Sequence, residues 1–399
     1  MSWRGRIDRP ALNLMLLIGL ALNQLRVAVT SWGITLWRPG FADFGNYYLY
    51  ARVGLHQGWS HLYDVGAQHT EWLKMGGAAV VPWFPIIYPP PIAWIVVPFT
   101  LLPLPMAFAA WSALLVGCLL ATWRLVAPLR PRMTRWTMLA GMLVIAAVPY
   151  ALLLGQVLII ELAALAIAWR LLVKRHDLLA GAVLVALVFK PQIAFLVPVA
   201  LLVIGRWRAV AAWAAGSAAV AVIAVITTGL DGLATYVGRL GDAAAAAPQF
   251  FVPTQLTIAG FIGRGPLMIG LAAVVIVLTV TAARRTRADG PGLPMACALV
   301  GSMLITPYIH SQDLASLLLA GGIALRSRLD RRQVWLMAAG YVLLLAISYW
   351  GNGSLGRELG AMLLLGETGF LLLAALNPPS GGAMERLSAL PEVPLDRTA

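Results

Sequence analysis

Charged residues are scarce in this chain. Only 11% of its 399 residues are Asp, Glu, Lys or Arg, whereas 60% are hydrophobic. A soluble domain carries about 25% charged residues, so this chain has too little charge to cover a globule with polar surface. The low charge excludes a soluble globular protein and indicates one that is embedded in lipid.

Strict alternation of apolar and polar residues, which is typical of transmembrane strands, is also lacking. The apolar runs are instead continuous and rich in Leu and Ala. A run of about twenty apolar residues can cross the hydrocarbon core as a helix. The sequence therefore predicts an all-α fold, a polytopic bundle of transmembrane helices.

Cysteine is rare, and the motifs of nucleotide-using and hydrolytic enzymes are absent. Cys118 and Cys297 both lie in apolar runs without metal-ligand spacing, so we interpret them as buried thiols. There is no Walker A sequence, no GxGxxG after a strand, and no HExxH or GxSxG motif. We expect neither a metal nor a cofactor. A donor substrate must then arrive through the membrane, which favours a lipid-carried donor.

Positive charge is abundant relative to negative charge, and the formal net charge is +13. The arginines form short clusters between apolar runs, which is typical of cytoplasmic loops and argues against a nucleic-acid partner. We predict about 12 spans (11–13) in the inner (plasma) membrane, with both termini inside. The apolar runs are 11–30, 88–126, 136–153, 156–173, 178–190, 191–205, 209–228, 258–282, 292–309, 312–325, 333–350 and 357–376.

The chain is predicted to form a single membrane domain over 1–376. Residues 31–87 form a polar and aromatic first outer loop that contains juxtamembrane helices. Residues 377–399 contain Pro, Gly and charged residues and are predicted to be a disordered cytoplasmic tail. The apolar run 88–126 is interrupted by Leu-Pro-Leu-Pro, so we expect two helices there, the first of them (92–103) short, tilted or re-entrant.

Asp43 is the first carboxylate of the outer loop. Tyr47, Tyr50 and Gly54 follow it at helical spacing, which predicts an amphipathic helix on the membrane surface. A carboxylate at the start of a helix has a structural explanation, since it can cap the helix. It can also act as a general base, and both interpretations are open from the sequence.

Lys190 interrupts an apolar run directly before Pro191. A lysine within the membrane costs about 3 kcal/mol on insertion scales, so it either extends to the interface or faces a polar cavity. His310 and Asp313 lie in a short polar segment between two apolar runs, where they either form a simple turn or bind a phosphate or sugar. Glu161 lies inside a run, where a carboxyl is costly unless it is paired or protonated, and a functional role and polar helix packing explain it equally well.

Several short motifs in a fixed order resemble glycosyltransferase family 87. The outer loop carries Asp43 and Leu62-Tyr63-Asp64, and Tyr88-Pro-Pro opens the next apolar run. Gly155-Gln156, Lys190-Pro191-Gln192 and Arg206-Trp207-Arg208 follow. The resemblance extends over about residues 10–325 and resides in the order and spacing of these motifs, each of which is weak alone.

The resemblance implies a GT-C fold and an inverting transfer from a polyprenyl-phosphate sugar, mannose or another hexose or pentose, to a glycolipid, polysaccharide or other glycan acceptor. It implies that Asp43 is the catalytic base and that Lys190 and His310 bind the donor phosphate on the extracytoplasmic side. The residues expected to contact substrate are Tyr47, Asp64, Tyr88, Gln156, Gln192, Gln255 and Asp313.

Two functions of other classes fit the same composition. A transporter or flippase for lipid-linked sugars would show inverted repeats and broken helices near the bilayer centre. A membrane assembly protein without an active site would place Asp43 and Lys190 apart from each other. The convergence of Asp43, Lys190 and His310 therefore distinguishes an enzyme from a scaffold.

Overall fold

The computed structural model describes residues 9–37, 42–76, 87–127, 132–251, 256–350 and 354–376. These residues form α-helices and short 3₁₀ turns without a β-strand, which confirms the predicted all-α fold. The helices are α1 Arg9–Trp37, α2 Asp43–His56, α3 Val65–Lys74, α4 Pro90–Val96, α5 Leu104–Val126, α6 Arg132–Val144, α7 Ala147–Leu154, α8 Leu158–Val173, α9 Asp177–Leu184, α10 Leu196–Val203, α11 Trp207–Phe251, α12 Ile258–Ile262, α13 Pro266–Thr286, α14 Gly292–Ile305, α15 Ala315–Ala324, α16 Arg331–Trp350 and α17 Ser354–Leu376.

Six helices in the described part of the chain are long and apolar enough to cross a membrane. The helices α6 and α7 are bent by 68° relative to each other, and the number of candidate spans is seven if this pair crosses the membrane as one span. The prediction of a membrane-embedded helical protein is confirmed, whereas the count of about 12 spans is not. The six candidate spans are Asn13–Ser31, Leu104–Val126, Trp207–Asp242, Pro266–Asp289, Arg331–Trp350 and Leu355–Leu376.

The other predicted runs fold as helices too short to cross the membrane alone. The runs 178–190 and 191–205 contain α9 and α10, each eight residues long and joined by 3₁₀ turns. Eight helical residues extend about 12 Å, whereas the hydrocarbon core is about 30 Å thick. The 88–126 region divides as expected, because a short apolar piece, Pro90–Leu101, precedes α5.

The short helices form the interior, and several long helices lie at the periphery. All fourteen residues of α14 are buried, and this helix contacts α10, α13, α15 and α17. By contrast, only 6% of the most apolar stretch of α1 is buried inside the protein, and the same share is buried for α11. Apolar helices with so little protein contact are suited to lipid on most sides.

The segment after the first candidate span contains α2 and α3, as the sequence predicts, but α2 does not lie on the surface of the protein. Phe44, Tyr47, Leu49 and Tyr50 are completely buried although they point to different sides of the helix. The surface location expected for this helix was therefore wrong. The reason is tertiary, since α3, α4 and the 3₁₀ turn after α4 pack around it.

A buried carboxylate joins α2 to α3. Glu71 accepts hydrogen bonds from Arg52 Nη2 at 3.2 Å, Gln57 Nε2 at 2.9 Å and Lys74 Nζ at 2.7 Å, and His56 Nδ1 lies 3.0 Å away. Burial alone would raise the pKa of Glu71, but its polar partners outweigh that effect and lower the pKa to about 2. The outer helices are thus fixed to each other by charge.

Candidate active site

The break between α7 and α8 determines where Gln156 lies. Gly155 has φ +69°, and a Cβ there would lie 2.7 Å from the Cβ of Phe44. Trp111 Nε1 donates a 2.8 Å hydrogen bond to the Gly155 carbonyl oxygen. Glycine therefore permits both the left-handed turn and close contact with the start of α2. This contact brings Gln156 beside Asp43, 113 residues away in sequence.

Asp43 begins α2 without capping it. Ala42 occupies the N-cap position, and no side chain caps the helix. The Asp43 carboxylate instead accepts a hydrogen bond from Gln156 Nε2, and Gln156 Oε1 lies 3.4 Å from the Tyr47 hydroxyl, which donates to it. The capping interpretation is wrong, and the carboxylate is held by a tertiary contact.

Lys190 lies in the interior and does not extend to the interface. Its side chain is only 5% exposed, and Nζ pairs with Asp313 Oδ1. Pro191 follows it and begins a 3₁₀ turn, so the chain is not helical at this point. The broken backbone allows the ammonium of Lys190 to meet a carboxylate from a segment 123 residues away.

Asp313 links the two residues expected to bind phosphate. While Oδ1 contacts Lys190, Oδ2 accepts a 2.8 Å hydrogen bond from the His310 backbone N–H. The His310 ring lies 5.8 Å from the Tyr308 ring. Burial lowers the pKa of His310, and Asp313 opposes that shift while Lys190 adds to it. Burial therefore favours the neutral imidazole of His310, which carries one N–H donor.

The Asp43 carboxyl has an unusual proton affinity. Part of its surface stays accessible, but burial raises its pKa from 3.8 to about 6. The charge of Lys190 and the Gln156 hydrogen bond oppose this rise, and the charge of Asp313 adds to it. The same interactions place Asp43 within electrostatic range of Lys190 and Asp313, which contradicts the separation expected for a scaffold.

Glu161, one of the carboxylates that the sequence places inside an apolar run, is a neighbour of this site. Its Oε1 accepts a 2.6 Å hydrogen bond from the Lys190 backbone N–H, and the residue is completely buried. Oε2 has no hydrogen-bond partner. Glu161 thus holds the main chain at the break before Pro191. Its position within an apolar run was a usable signal, although helix packing explained that position equally well.

Tyrosines surround the Asp43 side of the site. The Tyr47 and Tyr88 rings meet edge to face, with centroids 4.9 Å apart. The Tyr88 carbonyl oxygen accepts hydrogen bonds from the hydroxyls of Tyr50, at 2.9 Å, and Tyr63, at 3.1 Å. Of the residues expected to contact substrate, Tyr47, Tyr88, Gln156 and Asp313 are therefore brought into one region.

Within the described residues, neither Asp64 nor Gln192 forms a hydrogen bond with this region. Asp64 is the N-cap of α3 and accepts a 2.7 Å hydrogen bond from the Ala67 backbone N–H, so it has a structural role. Gln192 lies half-buried in the turn after Lys190. Gln255 lies outside the described residues. Within the described ranges, no group of three or more His, Cys, Asp or Glu residues could hold a metal ion.

Comparison with known proteins identifies the family. Residues 86–307, more than half of the chain, match the sequence model of glycosyltransferase family 87. The chain belongs to glycosyltransferase family 87. The matched residues include Tyr88, Gln156 and Lys190, whereas Asp43 and His310 lie outside the match. The match is also shorter than the resemblance of the sequence motifs, which extends over about residues 10–325. No curated protein and no solved structure matches the chain.

Proposed function

We propose that this family 87 protein transfers a sugar from a polyprenyl-phosphate donor to a glycolipid or glycan acceptor, with inversion at the anomeric carbon. One observation carries the proposal. The Asp43 carboxylate contacts Gln156 and lies within electrostatic range of the pair formed by Lys190 and Asp313. This arrangement supports the proposal because it combines a partly accessible carboxylate with buried polar groups that suit a phosphate.

In the proposed reaction, Asp43 accepts the proton of an acceptor hydroxyl as that oxygen attacks the anomeric carbon. The bond between this carbon and the phosphate oxygen breaks, and its electron pair leaves with the polyprenyl phosphate. Attack opposite the leaving group inverts the configuration. A base with a pKa of about 6 is mostly ionised at neutral pH and still binds a proton strongly enough to assist attack.

Negative charge develops on the departing phosphate, and a preorganised cation stabilises it. Lys190 is the candidate for this role because its ammonium is already desolvated and held by Asp313. The neutral His310 supplies an N–H donor. Gln156 keeps Asp43 oriented, because its amide nitrogen is committed to the carboxylate and its amide oxygen faces Tyr47.

The donor is a lipid-linked mannose or another hexose or pentose, and no cofactor takes part. The reaction takes place at the extracytoplasmic face of the inner membrane. A flippase is the alternative, and it would use Lys190 to bind the phosphate without breaking the glycosidic bond. Clustering of the polar groups near Asp43 favours the enzyme, because transfer needs a base and a phosphate-binding cation at one place.

The proposal is tested with purified protein in lipid nanodiscs. The protein receives polyprenyl-phosphate mannose, glucose, galactose or arabinose together with a lipid extract from a strain that lacks the gene. We expect one donor to give a glycosylated lipid or glycan whose anomeric configuration, measured by NMR, is opposite to that of the donor. Donor translocation across liposomes without any transfer product would identify a flippase and overturn the proposal.

The activity should depend on pH because of Asp43. Its raised pKa predicts that kcat/KM is constant above about pH 7 and falls about tenfold per pH unit below about pH 6. A pH profile from 4.5 to 8 checks this, with a fold check by circular dichroism at each pH. A profile that stays flat down to pH 5, with the protein folded, would contradict Asp43 as the base.

A further inference from the structure

The main chain leaves the helical conformation at Lys190. A 3₁₀ turn, Val185–Val188, ends shortly before this residue, and a second one, Pro191–Ile193, begins directly after it. Lys190 itself has φ −145° and ψ 65°. The direction of its side chain is therefore not determined by a regular helix, and another contact must hold the main chain at this point.

The side chain of Glu161 supplies that contact. Its Oε1 accepts the 2.6 Å hydrogen bond from the Lys190 backbone N–H, across 29 residues of sequence. A buried N–H needs an acceptor, and Pro191 brings no N–H of its own to the break. Glu161 thus joins α8 to the one residue of the break that carries an ammonium.

A carboxyl at this position is costly, because its surroundings are apolar. Glu161 is completely buried, as are Leu158, Leu162 and Leu165 around it on α8. Its Oε2 has no hydrogen-bond partner, and burying such a group costs free energy. The carboxyl also lies within electrostatic range of Lys190 and Asp313. The costly residue is therefore located at the charged centre of the candidate site.

Lys190 is held at two points, and a phosphate would compete for only one of them. Nζ pairs with Asp313 Oδ1, and the backbone N–H donates to Glu161. The four-carbon stem between these points is flexible. A phosphate that binds Nζ takes it partly from Asp313, whereas the bond to Glu161 is unaffected. With the donor bound, the main-chain contact determines which positions the ammonium reaches.

We propose that Glu161 is a positioning residue for the donor phosphate, because it fixes the main chain at Lys190 and so determines where the ammonium lies. The proposal rests on the proposed transferase function, since the phosphate belongs to the donor of that reaction. The simpler explanation is that Glu161 only satisfies a buried N–H. In that case its loss would lower stability and leave phosphate binding by the folded protein unchanged.

Binding of a short prenyl phosphate tests the position of the ammonium without any transfer reaction. Farnesyl phosphate is titrated into the protein in nanodiscs and followed by microscale thermophoresis, with empty nanodiscs as the blank. A displacement of about 1 Å can cost about 10²-fold in rate, so a clear loss of binding is measurable. In Glu161→Leu we expect the Kd for farnesyl phosphate to rise about tenfold. Farnesol, which lacks the phosphate, should bind with a Kd changed less than twofold.

The conservative variant separates positioning from stability. In Glu161→Gln the amide oxygen still accepts the Lys190 N–H, so we expect the Kd to stay within about threefold of the wild type. Its amide nitrogen is left buried without a partner, which should lower the melting temperature. Glu367→Leu, which removes another buried carboxyl from the apolar helix α17, is the matched control and should bind like the wild type.

Coupling to Lys190 is the second measurement. Because Glu161 is proposed to act through Lys190, adding Glu161→Leu to Lys190→Met should raise the Kd less than twofold further. If Glu161→Leu does not fold, Glu161→Asp replaces it, because the shorter side chain cannot reach the N–H without moving the main chain. We then expect a rise of about fivefold.

Three results would overturn the positioning role. They are a Kd within twofold of the wild type in the folded leucine or aspartate variant, an equal rise in the glutamine and leucine variants, and a wild-type protein that does not bind farnesyl phosphate. Failure of the transferase function looks different. A protein that binds farnesyl phosphate as expected in every variant, but transfers sugar from no polyprenyl-phosphate donor, contradicts that function and retains the positioning role of Glu161.

Discussion

Replacing Asp43 by asparagine is expected to reduce sugar transfer by about 10³-fold, within the range that a general base contributes. Asparagine has nearly the same shape, and its amide oxygen can still accept the hydrogen bond from Gln156 Nε2. The variant should therefore fold and retain donor binding. It lacks only the ability to take the proton of the acceptor hydroxyl.

Initial rates of sugar transfer in nanodiscs measure this effect. The KM for the donor, determined in the same assay, shows whether donor binding is retained. Asp64→Asn is the matched control, because it removes a carboxylate from the same outer segment at the N-cap of α3. Asparagine is itself a good cap, so this control should stay within about twofold of the wild type. Turnover of Asp43→Asn within tenfold of the wild type would exclude Asp43 as the base.

Replacing Lys190 by methionine is expected to lower kcat/KM for the donor by about 10²- to 10³-fold, which is the usual effect of removing one preorganised group that stabilises developing charge. The loss should appear in both the donor KM and kcat, because the ammonium contacts the phosphate before and during departure. However, the single variant leaves Asp313 buried beside a neutral side chain, and an unpaired buried charge costs about 3–5 kcal/mol.

A double variant separates the catalytic effect from this loss of stability. Lys190→Met combined with Asp313→Asn removes both charges, so we expect its thermal stability to exceed that of Lys190→Met while its activity stays low. Asp313→Asn alone leaves the buried ammonium without this carboxylate, so we expect it also to lose stability, whereas its activity should fall by only about tenfold because the cation is retained. Normal saturation by the donor in the double variant would show that Lys190 does not contact the phosphate.

Two positions illustrate how far the sequence leads toward the site. Asp43 could be selected because carboxylates are rare in this chain and its segment follows the first span. Lys190 could be selected because a lysine inside an apolar run is costly. Their contacts could not be predicted, since Gln156 and Asp313 lie more than a hundred residues away and meet them only through breaks at Gly155 and Pro191.

Glu161 and α11 show what the sequence could not reveal. The bond from Glu161 to the Lys190 backbone joins two separate segments, and no local pattern encodes it. The apolar runs 209–228 and 258–282 are separated in the sequence, but α11 continues beyond the first of them after the break at Gly229. The number of spans could not be predicted for a related reason. Apolar runs do not reveal which helices are short and enclosed by protein rather than by lipid.

The sequence by itself determined that this protein is helical and embedded in a membrane, and the order of its short motifs indicated glycosyltransferase family 87. The first two properties follow from composition and from the continuous apolar runs, which act locally. Only the tertiary structure decided that Asp43 meets Gln156 and that Lys190 meets Asp313. Such pairs depend on where helices break and how they pack, and the apolar interior then makes each polar contact obligatory.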